Sequence, residues 1–84
     1  MNNEILEKDD MNLYVTSDLY LSAYLLVKGH NFNIDKKGKK SLFSFIKSQD
    51  LDLNVNEYLM GRGKCEPLAF TNAIKNIKNL LFNS

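Results

Sequence analysis

The residues with the clearest chemical potential in this sequence are basic side chains in two short, glycine-containing stretches. The six candidate contact residues are Lys36, Lys37, Lys39, Lys40, Arg62 and Lys64. Basic loops hold phosphate oxygens without reading base sequence, so the pattern predicts nucleic acid as a partner. A lysine-rich hairpin tip also protects a sheet from edge-to-edge aggregation. The sequence alone leaves that purely structural interpretation open.

The side chains needed for catalysis or metal binding are few and far apart. Ser17, Asp18 and His30 have the types found in hydrolases, but they span one predicted helix. Ser17 and His30 would lie at its opposite ends, too far apart for proton transfer. One histidine and one cysteine do not supply a metal site. The loop at 61–64 lacks the spacing of a phosphate-binding loop. We therefore expect a protein that is not an enzyme and needs no metal or small-molecule cofactor.

Composition and charge predict a small cytoplasmic protein. The 84 residues are enough for one domain with a modest core. The lone cysteine, Cys65, cannot form an internal disulfide, which favours a reducing compartment. No signal peptide is visible, and no apolar run approaches the roughly 20 residues that span a bilayer. We expect cytoplasmic localisation and no membrane partner.

The charge is unevenly distributed along the chain. Residues 1–10 carry four acidic side chains against one lysine, whereas residues 11–84 carry ten basic side chains against six acidic ones. The sequence thus predicts a flexible acidic tail at 1–11 and a mildly basic single domain at 12–84. That balance is weaker than in a dedicated DNA-binding domain.

The basic stretches must be positioned by a few short elements. A short strand at 12–15 leads into an apolar helix at 18–28, with Thr16 or Ser17 as N-cap and Gly29 as the left-handed stop. Alternating residues predict a hairpin with strands at 31–35 and 41–46, and its loop is residues 36–40. Phe43 and Phe45 share the face that should pack on the first helix.

The second half of the chain reads as helical. Residues 51–60 fit both a strand and a helix, but the apolar cluster before Gly61 favours the helix, with Asp50 as N-cap. The last helix, from Pro67 to about Phe82, has apolar residues spaced for one buried face. The fold class predicted is α+β: a small antiparallel sheet, made of a short N-terminal strand plus a hairpin, with two to three helices on one face. The element order is β-α-β-β-α-α.

The spacing of apolar residues in the first and last helices predicts that these two helices pack against each other. The final helix should meet Leu19, Ala23 and Leu26 of the first one. Its own apolar positions are Phe70, Ala73, Ile74, Ile77, Leu80 and Leu81.

A protein partner is the alternative to nucleic acid. Leu21 and Leu25 widen the apolar surface of the first helix, and we expect this surface to exceed what so small a core covers. With the tyrosines at 14, 20, 24 and 58, they predict an exposed patch for a phage-encoded inhibitor or a self-associating subunit. The same tyrosines would stack on bases if they were exposed.

Five segments of the chain form a recognisable set. They are Thr16-Ser17-Asp18-Leu19-Tyr20-Leu21-Ser22-Ala23-Tyr24-Leu25, Lys28-Gly29-His30, Phe43-Ser44-Phe45, Tyr58-Leu59-Met60-Gly61 and Phe70-Thr71-Asn72-Ala73-Ile74-Lys75-Asn76-Ile77-Lys78. In these segments the chain resembles a family of short uncharacterised bacterial and phage proteins, a domain of unknown function. The resemblance covers residues 14–82 and implies a single-domain member, often encoded on mobile elements. It favours helix for 51–60 and carries over no catalytic residue.

Overall fold

The computed structural model describes residues 12–83, which form a three-stranded antiparallel sheet and three helices. The predicted α+β class and the order β-α-β-β-α-α are confirmed. The tail predicted at 1–11 lies outside the described residues. The elements are β1 (Leu13–Thr16), α1 (Leu19–Val27), β2 (Phe32–Lys37), β3 (Lys40–Ile46), α2 (Gln49–Leu59) and α3 (Pro67–Asn83).

The sheet places its aromatic residues on one face, as predicted. β3 lies between β1 and β2, and Phe45 pairs with Tyr14 on one side and Phe32 on the other. Phe43 and Phe45 are buried. The Phe32 ring meets both of them edge-on, with centroids 5.3 Å and 5.4 Å away. Edge-to-face contacts are favourable because of the ring quadrupoles. The three rings form the part of the core that is contributed by the sheet.

The hairpin is tighter than the sequence predicted. Its strands continue to Lys37 and resume at Lys40, so the connection is the two residues Gly38 and Lys39. Gly38 has φ of 65°, which fits a turn with glycine at its first central position. The predicted five-residue loop was wrong. Backbone pairing between the strands continues through Lys36 and Lys37, because a strand can extend into solvent with polar side chains that need no burial. Three of the four lysines at 36–40 therefore have fixed strand positions.

Capping interactions set the bounds of α1. The Asp18 carboxylate accepts a hydrogen bond from the Leu21 amide at 3.0 Å, so Asp18 is the N-cap. The prediction of Thr16 or Ser17 in this role was wrong, because the Thr16 hydroxyl instead accepts from the Asp18 amide at 3.0 Å. Gly29 has φ of 100° and ends the helix as predicted. The helix is nine residues long, and these contacts fix its backbone at both ends.

α1 is the centre of the core. Residues 21–25 are all buried, so most of the circumference of this helix is covered, although Tyr20 near its start is exposed. α2 and α3 both pack against it, and the core cluster includes the sheet aromatics. Leu21 and Leu25 belong to that core, so the prediction that they exceed what the core can cover was wrong. The physical reason is that α2, α3 and the sheet all pack against this one short helix and together bury its apolar side chains.

α2 confirms the helical interpretation of 51–60. The Ser48 hydroxyl accepts from the Leu51 amide at 3.0 Å, so Ser48 is the N-cap in place of the predicted Asp50. Leu51 and Val55 are buried at i and i+4. Gly61 follows this helix with φ of 72°. The apolar residues at 51, 53 and 55 alternate as they would in a strand, but Leu53 faces solvent and does not share a buried face with the other two.

α3 docks on α1 as predicted. The Glu66 carboxylate caps it by accepting from the Leu68 and Ala69 amides at 3.0 Å and 2.9 Å. Ile77 is fully buried and Ala73 nearly so, whereas Leu80 is 53 % exposed, so its place in the predicted buried stripe was wrong. Among the described residues no helix is both long enough and apolar enough to cross a bilayer.

Candidate nucleic-acid interface

The hairpin tip concentrates positive charge on fixed backbone positions. Lys37 and Lys40 pair directly across the two strands, and Lys39 lies in the turn between them. All three side chains are exposed. Like charges placed directly opposite each other in an antiparallel pair repel and destabilise it. The tip is therefore a site where a bound anion would relieve repulsion that the fold itself creates.

Lys36 differs from its neighbours because it points to the helical side of the sheet. Strand alternation puts it on the same face as Phe32 and Ile34, which pack against the core. Its ammonium group donates to the Leu81 carbonyl in the last turn of α3 at 2.9 Å. A cation at a helix C-terminus also suits the helix dipole. Lys36 thus joins the hairpin to the C-terminal end of α3.

The second predicted basic stretch is anchored to α1. Arg62 and Lys64 are exposed, and between them Gly63 lies against the Tyr24 ring. A Cβ at Gly63 would be 2.9 Å from Tyr24 Cζ, so only glycine allows this approach. The Arg62 amide donates to the Glu57 carbonyl at 2.7 Å. These contacts hold the loop in place and leave both cationic side chains in solvent.

The six predicted contact residues fall into two groups along α3. The hairpin meets α3 at Leu81, while Lys64 precedes Pro67, the first residue of the helix. From Pro67 to Leu81 the helix axis is about 21 Å long, at 1.5 Å per residue. The structure thus keeps the hairpin group and the Arg62 group toward opposite ends of this helix.

Sequence reasoning missed two lysines between these groups. Lys75 and Lys78 are exposed on the outer face of α3. They lie on the solvent side of an amphipathic helix, where charged residues are ordinary and attract no notice in a sequence. The signal that could have found them is the absence of any carboxylate from Pro67 to Asn83, which makes this the basic helix of the molecule.

His30 has a structural role. Its Nε2 lies 2.8 Å from Oδ1 of Asn54 in α2, and Asn54 Nδ2 donates to Glu57 Oε1 at 2.9 Å. This link ties the end of α1 to α2. Ser17 lies exposed before the α1 cap, at the other end of that helix, so the two residues do not meet. Within residues 12–83, no three potential metal ligands come together and no pocket opens.

The tyrosines offer little surface for base stacking. Tyr24 is buried, and Tyr14 and Tyr58 are half-buried, which leaves Tyr20 as the exposed tyrosine of the described chain. Tyr24 and Tyr58 contact each other, with ring centroids 5.5 Å apart, and the Lys28 ammonium lies 5.5 Å from the Tyr24 centroid. Burial, and then the nearby Asp18 and Tyr20, raise the pKa of Tyr58 above its usual value of 10.0.

An apolar patch lies on the open face of the sheet, away from the helices. It consists of Leu13, Val15 and Ile46, which are 38 %, 51 % and 75 % exposed. Leu13 pairs with Ile46 at the end of the sheet opposite the lysine tip. Sequence reasoning placed the surplus apolar surface on the first helix, whereas in the structure this part of the sheet is one of the places where large apolar side chains are exposed.

The comparisons with known proteins identify a family and no function. A family model described as a domain of unknown function, DUF5659, matches residues 11–83. No match was found among curated proteins or among solved structures. The match covers every element of the fold, from β1 to α3.

Proposed function

The chain belongs to the DUF5659 family, whose function is unknown, and on the strength of its own surface we propose that it is a small non-enzymatic module that binds nucleic acid. The partner is held through its phosphates by the lysines of the hairpin tip. Arg62 and Lys64 add a second contact for a longer strand. Binding of this kind depends on charge more than on base sequence.

One observation carries the proposal. Lys37 and Lys40 are directly opposed across the hairpin, with Lys39 between them in the turn. The hairpin from Phe32 to Ile46 has a single carboxylate, Asp35, against four lysines. Charged side chains protect a sheet edge from aggregation, but that protection does not need like charges placed directly opposite each other. Because the lysines of the tip repel each other in the free protein, a bound polyanion would reduce that repulsion. This favours a binding role over simple protection of the sheet edge.

The form of the surface supports the same function. Phosphate backbones are recognised on open surfaces by exposed cations, without an enclosed pocket. The tip lysines are exposed, and their backbone is fixed by strand pairing and by a turn that needs Gly38. Fixed positions reduce the conformational entropy lost when a partner binds.

The test is titration of the full chain into a labelled oligonucleotide, followed by fluorescence anisotropy at several salt concentrations. Wild-type affinity should fall steeply as salt rises, because each phosphate contact releases a counterion. The variant Lys37→Ala/Lys39→Ala should lower the slope of log K against log salt by about 1.4 to 1.8, for single-stranded or double-stranded DNA respectively. Lys36 is left intact because it also contacts α3.

The control removes a single positive charge at a site away from the hairpin tip. Lys47 is exposed, and its amide donates to the Asn12 carbonyl beside β1, at the sheet edge opposite β2. The Lys47→Ala variant should bind almost as wild type. Absence of binding at about 50 mM salt, or binding that does not respond to salt, would refute the proposal.

A second candidate is self-association through the open face of the sheet. It is favoured by the patch of Leu13, Val15 and Ile46. Two copies packed patch to patch would keep both lysine tips outside the contact, since the tips lie at the far end of the sheet. Light scattering should then give twice the monomer mass, and Ile46→Ser should return it to the monomer. A strict monomer at high concentration would exclude this function.

We also propose an origin and a cellular location for the protein. The resemblance noted in the sequence suggests a bacterial or phage mobile element. The single cysteine, half-buried and unpaired, fits a reducing cytoplasm. Fractionation of the host cell would test the second point.

A further inference from the structure

The outer side of β1 is a free edge of the sheet. The strand order is β1-β3-β2, so among the described residues β1 has a neighbouring strand on one side only. The amide of Lys47 donates to the carbonyl of Asn12 at 2.6 Å. Bonded and non-bonded pairs alternate along antiparallel strands, so the next pair, Leu13 with Ile46, exchanges no hydrogen bonds. The N–H and C=O groups of Leu13, and by the same alternation those of Val15, therefore point away from β3.

This edge lacks the charges that protect the other one. β2, at the opposite edge, carries three charged residues, whereas β1 from Leu13 to Thr16 carries none. Leu13 and Val15 also place apolar side chains, 38 % and 51 % exposed, on the open face beside the edge. Charges and prolines are the usual means by which a sheet edge is kept from pairing with another chain. β1 has neither, so its outward backbone groups suit an extended strand as partner.

We propose that this edge pairs with the β1 edge of a second copy of the chain, antiparallel about a two-fold axis beside Tyr14. In that register Leu13 of one copy lies opposite Val15 of the other, and each of the two pairs exchanges two N–H···O=C hydrogen bonds. Four hydrogen bonds join the copies, and two three-stranded sheets become one of six strands. The inference rests on the second candidate function, self-association, and names a contact different from packing of the two open faces.

The side chains match in the same register. Opposite residues of antiparallel strands point to the same face, so Leu13 and Val15 of the two copies lie side by side on the open face. Ile46 is 75 % exposed and pairs with Leu13 within each copy, so it extends this apolar row at both ends. The contact thus brings together apolar side chains that are exposed in the single copy.

The geometry also keeps the positive charges of the two copies apart. Lys40 at the hairpin tip is five residues from Phe45, the partner of Tyr14, so each tip lies about 17 Å from the axis along the strands. The axis places the two tips at opposite ends of the sheet, about 34 Å apart. That separation exceeds the Debye length of about 10 Å at 0.1 M salt, so the tips do not repel the pairing. A second copy therefore fits this edge in both backbone and charge, and both tips stay open.

Two substitutions of Val15 test the pairing, with light scattering of the full chain over a range of concentrations. Wild type should approach twice the mass of one chain as concentration rises. Val15→Pro removes an N–H that does not bond to β3, so the fold is kept while two of the four hydrogen bonds between copies are lost. At about 5-fold in affinity for each net hydrogen bond, the dissociation constant should rise roughly 25-fold. Val15→Lys adds the kind of charge that protects natural sheet edges and should also weaken the dimer, without the backbone constraint of proline.

Two more variants separate this contact from the alternatives. Val15→Thr keeps the N–H and a β-branched side chain, so its dimer should stay closer to wild type than that of Val15→Pro. Circular dichroism and urea unfolding verify that each variant is folded. If Ile46→Ser abolishes the dimer while Val15→Pro and Val15→Lys leave it unchanged, the copies pack face to face and this inference is wrong, although self-association stands. A strict monomer at high concentration would overturn both, and nucleic-acid binding keeps its own test.

Discussion

Truncation of Ile77 gives the sharpest test of how the core is assembled. Ile77 is fully buried where α3 docks on α1. Changing it to alanine removes three carbon atoms, worth about 0.8 kcal/mol each in lost burial, or about 2.4 kcal/mol together. The cavity left behind adds to this, so the expected loss lies at about 2–5 kcal/mol. A domain of this size has little more than that in total.

The structure also supplies a matched control on the same helix. Leu80 belonged to the same apolar stripe in the sequence but is 53 % exposed. Leu80→Ala removes the same number of carbons, yet about half of that area is already in water, so the loss should be near 1 kcal/mol. Lys78→Ala, on the solvent side, should change stability by less than about 0.5 kcal/mol.

Urea unfolding followed by circular dichroism measures all three variants. With a slope of about 1 kcal/mol per molar urea, Ile77→Ala should lower the midpoint by about 2 M or more, and Leu80→Ala by about 1 M. If Ile77→Ala is unfolded without denaturant, the same ranking can be read from thermal midpoints in a stabilising salt such as sulfate. Equal effects at Ile77 and Leu80 would show that α3 is not docked as described.

Four further substitutions probe single contacts. Tyr24→Phe removes a buried hydroxyl that has no hydrogen-bond partner among the described residues, so urea unfolding should show unchanged or slightly higher stability. Gly63→Ala places a methyl group against the buried Tyr24 ring and should cost about 1–3 kcal/mol in the same assay. Asp18→Ala removes the α1 cap to Leu21 and should cost about 1 kcal/mol, whereas a change below about 0.2 kcal/mol would contradict that role. Because the pKa of Tyr58 is raised, the folded state holds this proton more tightly, so stability should fall as pH rises above 10.0. Tyr58→Phe should remove that alkaline loss, as measured by unfolding at pH 9 and 11.

Local patterns were enough to predict the fold class and most of its elements. Alternation placed Phe43 and Phe45 on the buried face, Gly29 ended α1, and Pro67 opened α3, because each depends on neighbours close in sequence. The wrong N-cap assignments for α1 and α2 also concern residues that are close together in the sequence. Several residues near each start were able to cap it, and the backbone geometry selected Asp18 and Ser48.

The sequence by itself thus determined the order of the elements and the charge of the hairpin, since hydrophobic period, turn residues and lysine content are properties of the chain. Only the tertiary structure decided which apolar side chains are covered. Leu21 and Ile77 are buried while Leu80 and Ile46 are exposed, although all four look alike in a periodic pattern. It also brought Lys36 to Leu81, 45 residues away, and so joined the hairpin to α3. Burial and long-range contacts depend on how elements pack in space, and no local pattern contains that information.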